Sequence, residues 1–342
     1  MTNPFRTFLA ACGCAGLMLL PAAAPAADAG LRMQTLPSAG EGQPAIPLAL
    51  FYPTQAAARP IQMGPFAPEV AMRAEPDAQV KGLIVLSHGT GGSELGHSRL
   101  AAALARGGYL VAALRHPGDN FQDNSLLTSG GERYFSERPR QASRVIDALL
   151  ADPQWKDRIA RDASGPRVGA VGHSAGGYTV LALAGGRPEV ARIAQHCQQH
   201  RADDPIFCGM GRGDRPSASA ALPTLPPVAD ARVRAVVALA PLGVVFDAAS
   251  LAAIQVPVSI YEAENDRWLI PRFHARWIVA NVKGAENRRV PNAWHFAFMD
   301  TPSLAIPTPD GDIAADPPGF DRAAFLQQLG SELPAFFDKS WR

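Results

Sequence analysis

Ser174 is the residue whose neighbours point most directly to chemistry. It is the central residue of GHSAG (residues 172–176), which has the pattern G-x-S-x-G. An apolar segment with strand character precedes the pattern and an apolar helical segment follows it, so the serine is expected on a sharp strand-to-helix turn. Such a turn needs small residues on either side, and it places the hydroxyl at the positive end of a helix. We therefore predict that Ser174 is a nucleophile, the alternative being an ordinary strand-to-helix turn.

A second glycine-rich segment, HGTGG (residues 88–92), follows an earlier apolar strand. Acyl transfer to a serine requires N–H donors that are aimed at the oxyanion of the transition state. One donor is expected from the residue after the nucleophile, Ala175, and the other from this loop, at Thr90. A phosphate-binding loop is the competing interpretation, but the Lys-Ser or Lys-Thr pair that such a loop requires does not follow.

A serine nucleophile also requires a base, and the sequence contains eight histidines. His295 follows the last predicted strand near the C-terminus, which is the position and the chain order expected for the base. His173 lies inside the turn, His88 lies in the glycine-rich loop, and His116 ends a strand that precedes the serine. We predict His295 as the base, the alternative being a buried structural histidine.

The base needs a carboxylate partner that lies between the serine and the histidine, at the carboxyl end of a strand. Asp266, which closes the predicted strand PVSIYEAEND (residues 257–266), satisfies both conditions. Asp247 is the rival, because some hydrolases take their acid from one strand earlier. Glu262 and Glu264 are weaker candidates, since they lie within the strand or nearer to it.

The segments that must position these side chains alternate between strand and helix patterns. From residue 81 onward, short apolar runs recur with amphipathic segments between them, and glycine or proline marks the turns. This alternation predicts an α/β fold with a mostly parallel central sheet and helices on both faces. Residues 187–230 interrupt it with a segment rich in Pro, Gly and Asp. We predict one domain over residues 30–342, with this insertion as a roof over the site.

Two cysteines, Cys197 and Cys208, lie inside the inserted segment. An even pair is typical of a disulfide in an oxidising compartment, and two free thiols are the alternative. His196 and His200 lie nearby, but zinc ligands usually come in tighter pairs than these residues provide. We therefore expect a disulfide and no metal site, and the chemistry predicted above needs no organic cofactor.

The N-terminal residues have the composition of a secretory signal peptide. A basic residue is followed by an apolar run over residues 7–20 and then by the small-residue segment PAAAPAADA, in the usual order. The apolar run is too short for a membrane anchor. We predict a signal peptide over residues 1–26, with cleavage after Ala26 or after Ala29, and an exported protein that is periplasmic or secreted. Lipoprotein anchoring at Cys12 is the alternative, and no other segment is long and apolar enough to span a bilayer.

The charge composition argues against two classes of partner. Lys and Arg number 32, Asp and Glu number 31, and no basic run stands out. Neither nucleic acid nor an anionic membrane is therefore an expected partner. Hydrophobic residues make up 47% of the chain, which is enough for a buried core. The composition leaves the oligomeric state open.

The motifs HGTGG, RHPGDN, GHSAGG, AEND and PNAWHF, followed by FDRAAF, occur in that order. This set resembles the bacterial predicted dienelactone hydrolases of the α/β-hydrolase superfamily, which are similar in turn to plasma platelet-activating-factor acetylhydrolases. The resemblance covers about residues 45–338. It implies the α/β-hydrolase fold, a triad of the serine, Asp266 and His295, and an oxyanion hole formed by the N–H groups of Thr90 and Ala175.

This chain departs from the family in its nucleophile and in its leader. True dienelactone hydrolases use a cysteine and are cytosolic, whereas this sequence has a serine and a candidate signal peptide. A dienelactone is therefore not the expected substrate. The residues HPGDN (116–120) are expected near the site, but the sequence assigns them no role.

Together these patterns predict an exported serine hydrolase that cleaves carboxylic esters of small molecules through an acyl-enzyme. The inserted segment contains no long amphipathic lid helix, and this favours soluble, short-acyl esters over emulsified lipids. A peptidase or amidase, or a transacylase, would use the same triad. A non-catalytic binding protein on this fold would usually lack one member of the triad.

Overall fold

The computed structural model describes residues 27–210 and 227–342, together with Met1 and Leu225. The rest of the candidate signal peptide, including Cys12, lies outside the described residues. So do residues 211–224 and 226 of the inserted segment.

Strands and helices alternate through most of the chain. The strands are β1 (Asp28–Leu36), β2 (Ile46–Thr54), β3 (Arg59–Pro60), β4 (Glu69–Met72), β5 (Leu83–Ser87), β6 (Leu110–Leu114), β7 (Arg161–Asp162), β8 (Gly165–Pro166), β9 (Val168–His173), β10 (Val233–Leu239), β11 (Val258–Ala263), β12 (Glu286–Val290), β13 (Pro307–Thr308) and β14 (Gly311–Asp312). The helices are α1 (Ser98–Arg106), α2 (Ser125–Thr128), α3 (Gly131–Ala151), α4 (Ala175–Leu183), α5 (Ala191–His200), α6 (Pro205–Gly209), α7 (Ala248–Ala252), α8 (Ala275–Asn281) and α9 (Arg322–Ser340), with a 3-10 helix at His295–Phe298.

Ten strands of the described residues form one sheet in the order β12-β11-β10-β9-β5-β6-β2-β1-β4-β3. The strands from β12 to β6 are parallel, and β2 joins them antiparallel to β6. This topology confirms the predicted α/β fold with a mostly parallel sheet. The carboxyl ends of β9, β11 and β12 lie at one edge, so the loops that follow them can share one site.

The sheet separates two apolar cores. Leu83 and Val85 of β5 belong to one core, whereas the alternate residues Ile84 and Leu86 belong to the other. Helices α3, α4 and α8 cover the first face, and α1 and α9 cover the second. A strand that is buried on both faces is apolar at every position, which explains the continuous apolar runs in the sequence.

Helix α3 begins earlier than the sequence predicts. The sequence predicts a loop over residues 119–136, which are polar and contain glycine, and an amphipathic helix over residues 138–153. The observed helix starts at Gly131 and contains Pro139. Pro139 cannot donate to the carbonyl of Phe135, and the hydroxyl of Tyr178 donates to that carbonyl instead. Tyr178 of helix α4 therefore supplies the hydrogen bond that the carbonyl of Phe135 cannot receive from Pro139.

The described parts of the N-terminal region and of the insertion contain more regular secondary structure than the sequence indicates. The sequence does not predict strand β1. The two short strands β3 and β4 lie where it predicts a loop or an elaborated edge, and they form one edge of the sheet. In the inserted segment, α5 and α6 are both short. Within the described residues, no helix combines the length and the apolar character needed to cross a membrane.

Candidate active site

Ser174 lies at the sharp turn between β9 and α4. Its backbone φ is +58°, a conformation that few residues other than glycine adopt without strain. The neighbouring glycines are required by space: a Cβ at Gly172 would lie 2.0 Å from the carbonyl oxygen of Gly176, and one at Gly176 would lie 1.9 Å from that of Ser87. The turn thus holds the serine at the edge of the sheet and at the N-terminus of a helix.

His295 and Asp266 lie in line with this serine. The Nε2 atom of His295 is 3.0 Å from the Oγ atom of Ser174, and its Nδ1 atom is 2.8 Å from Oδ2 of Asp266. The other carboxylate oxygen, Oδ1, accepts backbone N–H groups from Trp268 at 2.9 Å and Leu269 at 2.8 Å. Both the histidine and the aspartate are buried. The three side chains selected from the sequence therefore form one hydrogen-bonded chain.

The other acidic candidates have different partners. Asp247 is the N-cap of α7, where its side chain accepts the N–H of Ser250. Glu262 pairs with Arg276 at 2.7 Å. Glu264 accepts the backbone N–H of Asn292 at 2.9 Å and also pairs with an arginine. Of the acidic candidates, the structure places Asp266 against His295.

The two candidate oxyanion donors belong to two segments that lie close to the serine. Ala175 is the first residue of α4, where backbone N–H groups have no partner within the helix. Thr90 lies in the loop after β5, and its hydroxyl is 2.8 Å from that of Tyr134. A Cβ at the neighbouring Gly89 would lie 3.2 Å from the Cβ of Ser174. The glycine therefore permits the loop to pass close to the nucleophile.

Buried neutral histidines surround the site. Burial lowers the pKa of His97 to about 4. Burial, together with the charge of Arg138, lowers the pKa of His88 to about 3. Burial also lowers the pKa of His173 well below its usual value, and the Nε2 atom of His173 donates to the carbonyl of His295 at 2.9 Å. The residue before the nucleophile thus helps to hold the candidate base, a role that sequence order alone does not reveal.

A cavity of about 910 Å³ opens onto Ser174 and His295. Its lining is mostly apolar and includes Met63, Phe66, Phe121, Trp268, Phe296 and Met299. The volume lies in the range of small-molecule sites, which are usually apolar with a few polar groups. The site can therefore hold an apolar organic substrate beside the serine hydroxyl.

Cys197 and Cys208 form a disulfide that joins α5 to α6. Near it, His196 and His274 both contact Oδ2 of Asp204, at 2.9 Å and 3.1 Å. The potential ligand atoms of these three residues lie within 4.8 Å of one another, a cluster that the sequence did not indicate.

The tautomer of His274 decides what this cluster can do. The backbone N–H of Gly243 donates to Nδ1 of His274 at 3.1 Å. The proton of the neutral ring is therefore on Nε2 and points at Asp204, so Nε2 has no lone pair to offer to a metal. The donor set fits a hydrogen-bond network better than a metal centre.

Comparisons with known proteins bear on the fold. No family model matches the chain, and no curated protein matches it. A ferulic acid esterase from Streptomyces cinnamoneus is similar in structure, with a TM-score of 0.60 and 18% identity over 93% of this chain and 91% of that one. A dienelactone hydrolase from Anabaena variabilis has a TM-score of 0.49 and 14% identity over 92% of this chain and 100% of that one.

The similarity to plasma platelet-activating-factor acetylhydrolases stays a prediction from the motifs. At these identities, structural similarity is evidence for a shared fold, whereas an activity has to be argued from the residues of the site. The sheet topology and the esterase structure agree with the fold that the resemblance implied, and this chain has the α/β-hydrolase fold.

Proposed function

We propose that the protein is a serine hydrolase that cleaves carboxylic esters, with Ser174 as nucleophile, His295 as base and Asp266 as the acid that orients the base. One observation carries the proposal: the three side chains form a hydrogen-bonded chain whose serine end opens into an apolar cavity. The similar ferulic acid esterase is, by its name, an ester hydrolase, which agrees with this chemistry.

The proposed reaction has two steps. His295 takes the proton of Ser174 as the oxygen attacks the ester carbonyl, and Asp266 stabilises the resulting imidazolium. The N–H groups of Thr90 and Ala175 receive the oxyanion, and the protonated histidine gives its proton to the departing alcohol. Water, activated by the same histidine, then releases the acid from the acyl-enzyme.

The cavity suggests the kind of ester. We propose soluble esters with a short acyl group and an apolar alcohol, because a cavity of about 910 Å³ has room for both parts. The two short helices of the described insertion, α5 and α6, do not form a long amphipathic lid of the kind that responds to a lipid surface. A peptidase or transacylase would use the same residues, so amide substrates and added alcohol acceptors belong in the test.

Export is part of the proposal, and the structure bears on the cleavage position. Strand β1 begins at Asp28, whose carboxylate accepts the N–H of Ala58 at 2.8 Å and pairs with Arg106 at 3.0 Å. Ala29 is fully buried. Cleavage after Ala29 would remove these contacts, so we propose cleavage after Ala26. A disulfide in the inserted segment agrees with an oxidising compartment.

Ser174→Ala tests the proposed function. The variant should lose hydrolysis of p-nitrophenyl butyrate and labelling by a fluorophosphonate, while its circular dichroism spectrum stays unchanged. Ser331→Ala, at an exposed serine of α9, is the matched control and should retain both. Undiminished labelling of the Ser174 variant would contradict the assignment. Parallel assays with p-nitroanilide amides would reveal a peptidase.

A further inference from the structure

The segment HPGDN (residues 116–120), which follows β6, has no part in the mechanism above, yet its three polar residues, His116, Asp119 and Asn120, are buried. His116 and Asp119 are both 0% exposed. They lie beside the loop His88–Gly92, which carries the candidate oxyanion donor Thr90. Polar groups of this kind are costly to bury unless they are fully bonded, so their partners indicate what they do.

Asp119 forms an ion pair with Arg138 of α3, and both side chains are completely buried. Burial alone would raise the pKa of Asp119, but the Arg138 charge and the N–H of Gly91 outweigh it and lower that pKa. Arg138 also donates to the carbonyl of His88, and its Nε donates to Thr179 of α4 at 3.1 Å. An apolar pair of similar volume would often stabilise a fold equally well. Stability alone therefore does not explain the choice of these residues.

The partners of this ion pair fix two peptide groups of the oxyanion loop. Arg138 holds the His88–Gly89 peptide through its carbonyl. Asp119 holds the Thr90–Gly91 peptide, because its Oδ1 atom accepts the N–H of Gly91 at 2.8 Å. The Gly89–Thr90 peptide, which carries the N–H of Thr90, lies between these two.

The ring of His88 holds this middle peptide as well. The backbone N–H of His116 donates to Nε2 of His88 at 3.1 Å, so the proton of the neutral ring is on Nδ1. That proton is donated to the carbonyl of Gly89 at 2.6 Å. In a trans peptide the N–H points opposite to the carbonyl, so the N–H of Thr90 is directed away from the His88 ring. Hydrogen bonds in a chain also polarise one another, which makes this N–H a better donor.

We propose that Asp119, Arg138 and His88 are positioning residues that fix the Thr90 N–H for the oxyanion. This inference rests on the proposed function, since it concerns the same site. It gives the HPGDN segment a role: His116 sets the tautomer of His88, and Asp119 anchors the loop and the arginine. The hydrogen bond from Arg138 to Thr179 also connects these three positioning residues to helix α4, which carries the second donor, Ala175.

Two conservative variants test the proposal. Arg138→Lys keeps the positive charge but loses the planar guanidinium group, whose several N–H donors reach Asp119, His88 and Thr179 together. Asp119→Asn keeps an acceptor for the N–H of Gly91 but loses the negative charge. Each should lower kcat by about 100-fold, which is the cost of losing or misplacing one oxyanion donor. KM should change by less than about threefold, because the Thr90 N–H binds the oxyanion of the transition state much more strongly than the carbonyl of the bound ester. Arg234→Lys, at a two-point pair with Asp162 on the surface, is the control and should keep its kcat.

Two measurements separate positioning from a merely structural role. The fluorophosphonate end point counts the active sites, so that kcat can be expressed per folded site. The affinity for a trifluoromethyl ketone, which forms a tetrahedral adduct with the serine, should fall by the same factor as kcat/KM. Fewer titrated sites with an unchanged kcat per site would overturn the proposal, as would failure of both variants to fold. A failure of the proposed function is distinguishable from a failure of this inference, because it would appear as esterase activity that persists in the Ser174→Ala variant.

Discussion

Asp266→Asn is the substitution for which the structure gives the most specific expectation. The Oδ1 atom of Asp266 accepts two backbone N–H groups, whereas Oδ2 faces Nδ1 of His295. An asparagine at this position must keep its carbonyl toward the two N–H donors, so its NH2 group faces the histidine. The ring then has to accept at Nδ1 and carry its proton on Nε2, where it cannot take a proton from Ser174.

The size of the effect follows from this tautomer change. The same substitution in the well-studied Ser-His-Asp triad lowers kcat by about 10⁴, which corresponds to about 5 kcal/mol of transition-state stabilisation. We expect a loss of at least about three orders of magnitude here by the same reasoning. Asp247→Asn is the matched control. Asp247 caps α7 and asparagine caps helices about as well as aspartate, so kcat should fall by less than about tenfold.

Both variants should be assayed for hydrolysis of p-nitrophenyl butyrate, with circular dichroism and thermal unfolding to show that they are folded. A folded Asp266→Asn enzyme with nearly full activity would refute the assignment. The reverse pattern, with the large loss at Asp247, would move the acid one strand earlier and contradict the geometry at His295.

Three further predictions concern stability and processing. Replacing both Cys197 and Cys208 with serine should lower the unfolding free energy by about 3 kcal/mol, as loop-closure entropy predicts, with little change in kcat; equal urea midpoints for the two proteins would contradict it. Burial raises the pKa of Asp300 to about 6, so ionisation of this carboxylate costs stability as the pH rises from 4 to 7. Asp300→Asn should gain about 2 kcal/mol of unfolding free energy relative to the parent over that interval, and a pH-independent difference in urea unfolding would argue against this. Under the proposed export, N-terminal sequencing of the processed protein should begin at Ala27, whereas a start at Gly30 would favour the other cleavage site.

The sequence was informative where chemistry imposes a local pattern. Each of the three candidate residues can be recognised from its place in the chain: a serine between small residues, a histidine after the last strand and an aspartate at the end of a strand. The structure brings Ser174, His295 and Asp266 together as those positions imply. The alternation of apolar runs and amphipathic segments likewise determines the parallel sheet, because buried strands must be apolar on both faces.

The sequence was uninformative where function depends on contacts between distant segments. Arg138 is completely buried, although arginines are usually exposed, and nothing near it in the chain indicates its partner Asp119. His274 and Asp204 meet across a long stretch of chain without a recognisable spacing. The sequence places the start of α3 too late because residues 131–136 include polar residues and a glycine, and the burial of Tyr134 and Phe135 depends on segments that are distant in the chain.

The two outer strands of the sheet have a consequence for aggregation. Strand β12 forms one edge and has the sequence ENRRV, in which Arg288 and Arg289 are exposed. Strand β3 forms the other edge, spans only two residues and includes Pro60, which has no N–H to donate. Charged, short or proline-containing edges are poor templates for pairing with a strand of another molecule. Neither edge of the sheet therefore favours pairing with the sheet of another molecule, even when the protein concentration is high.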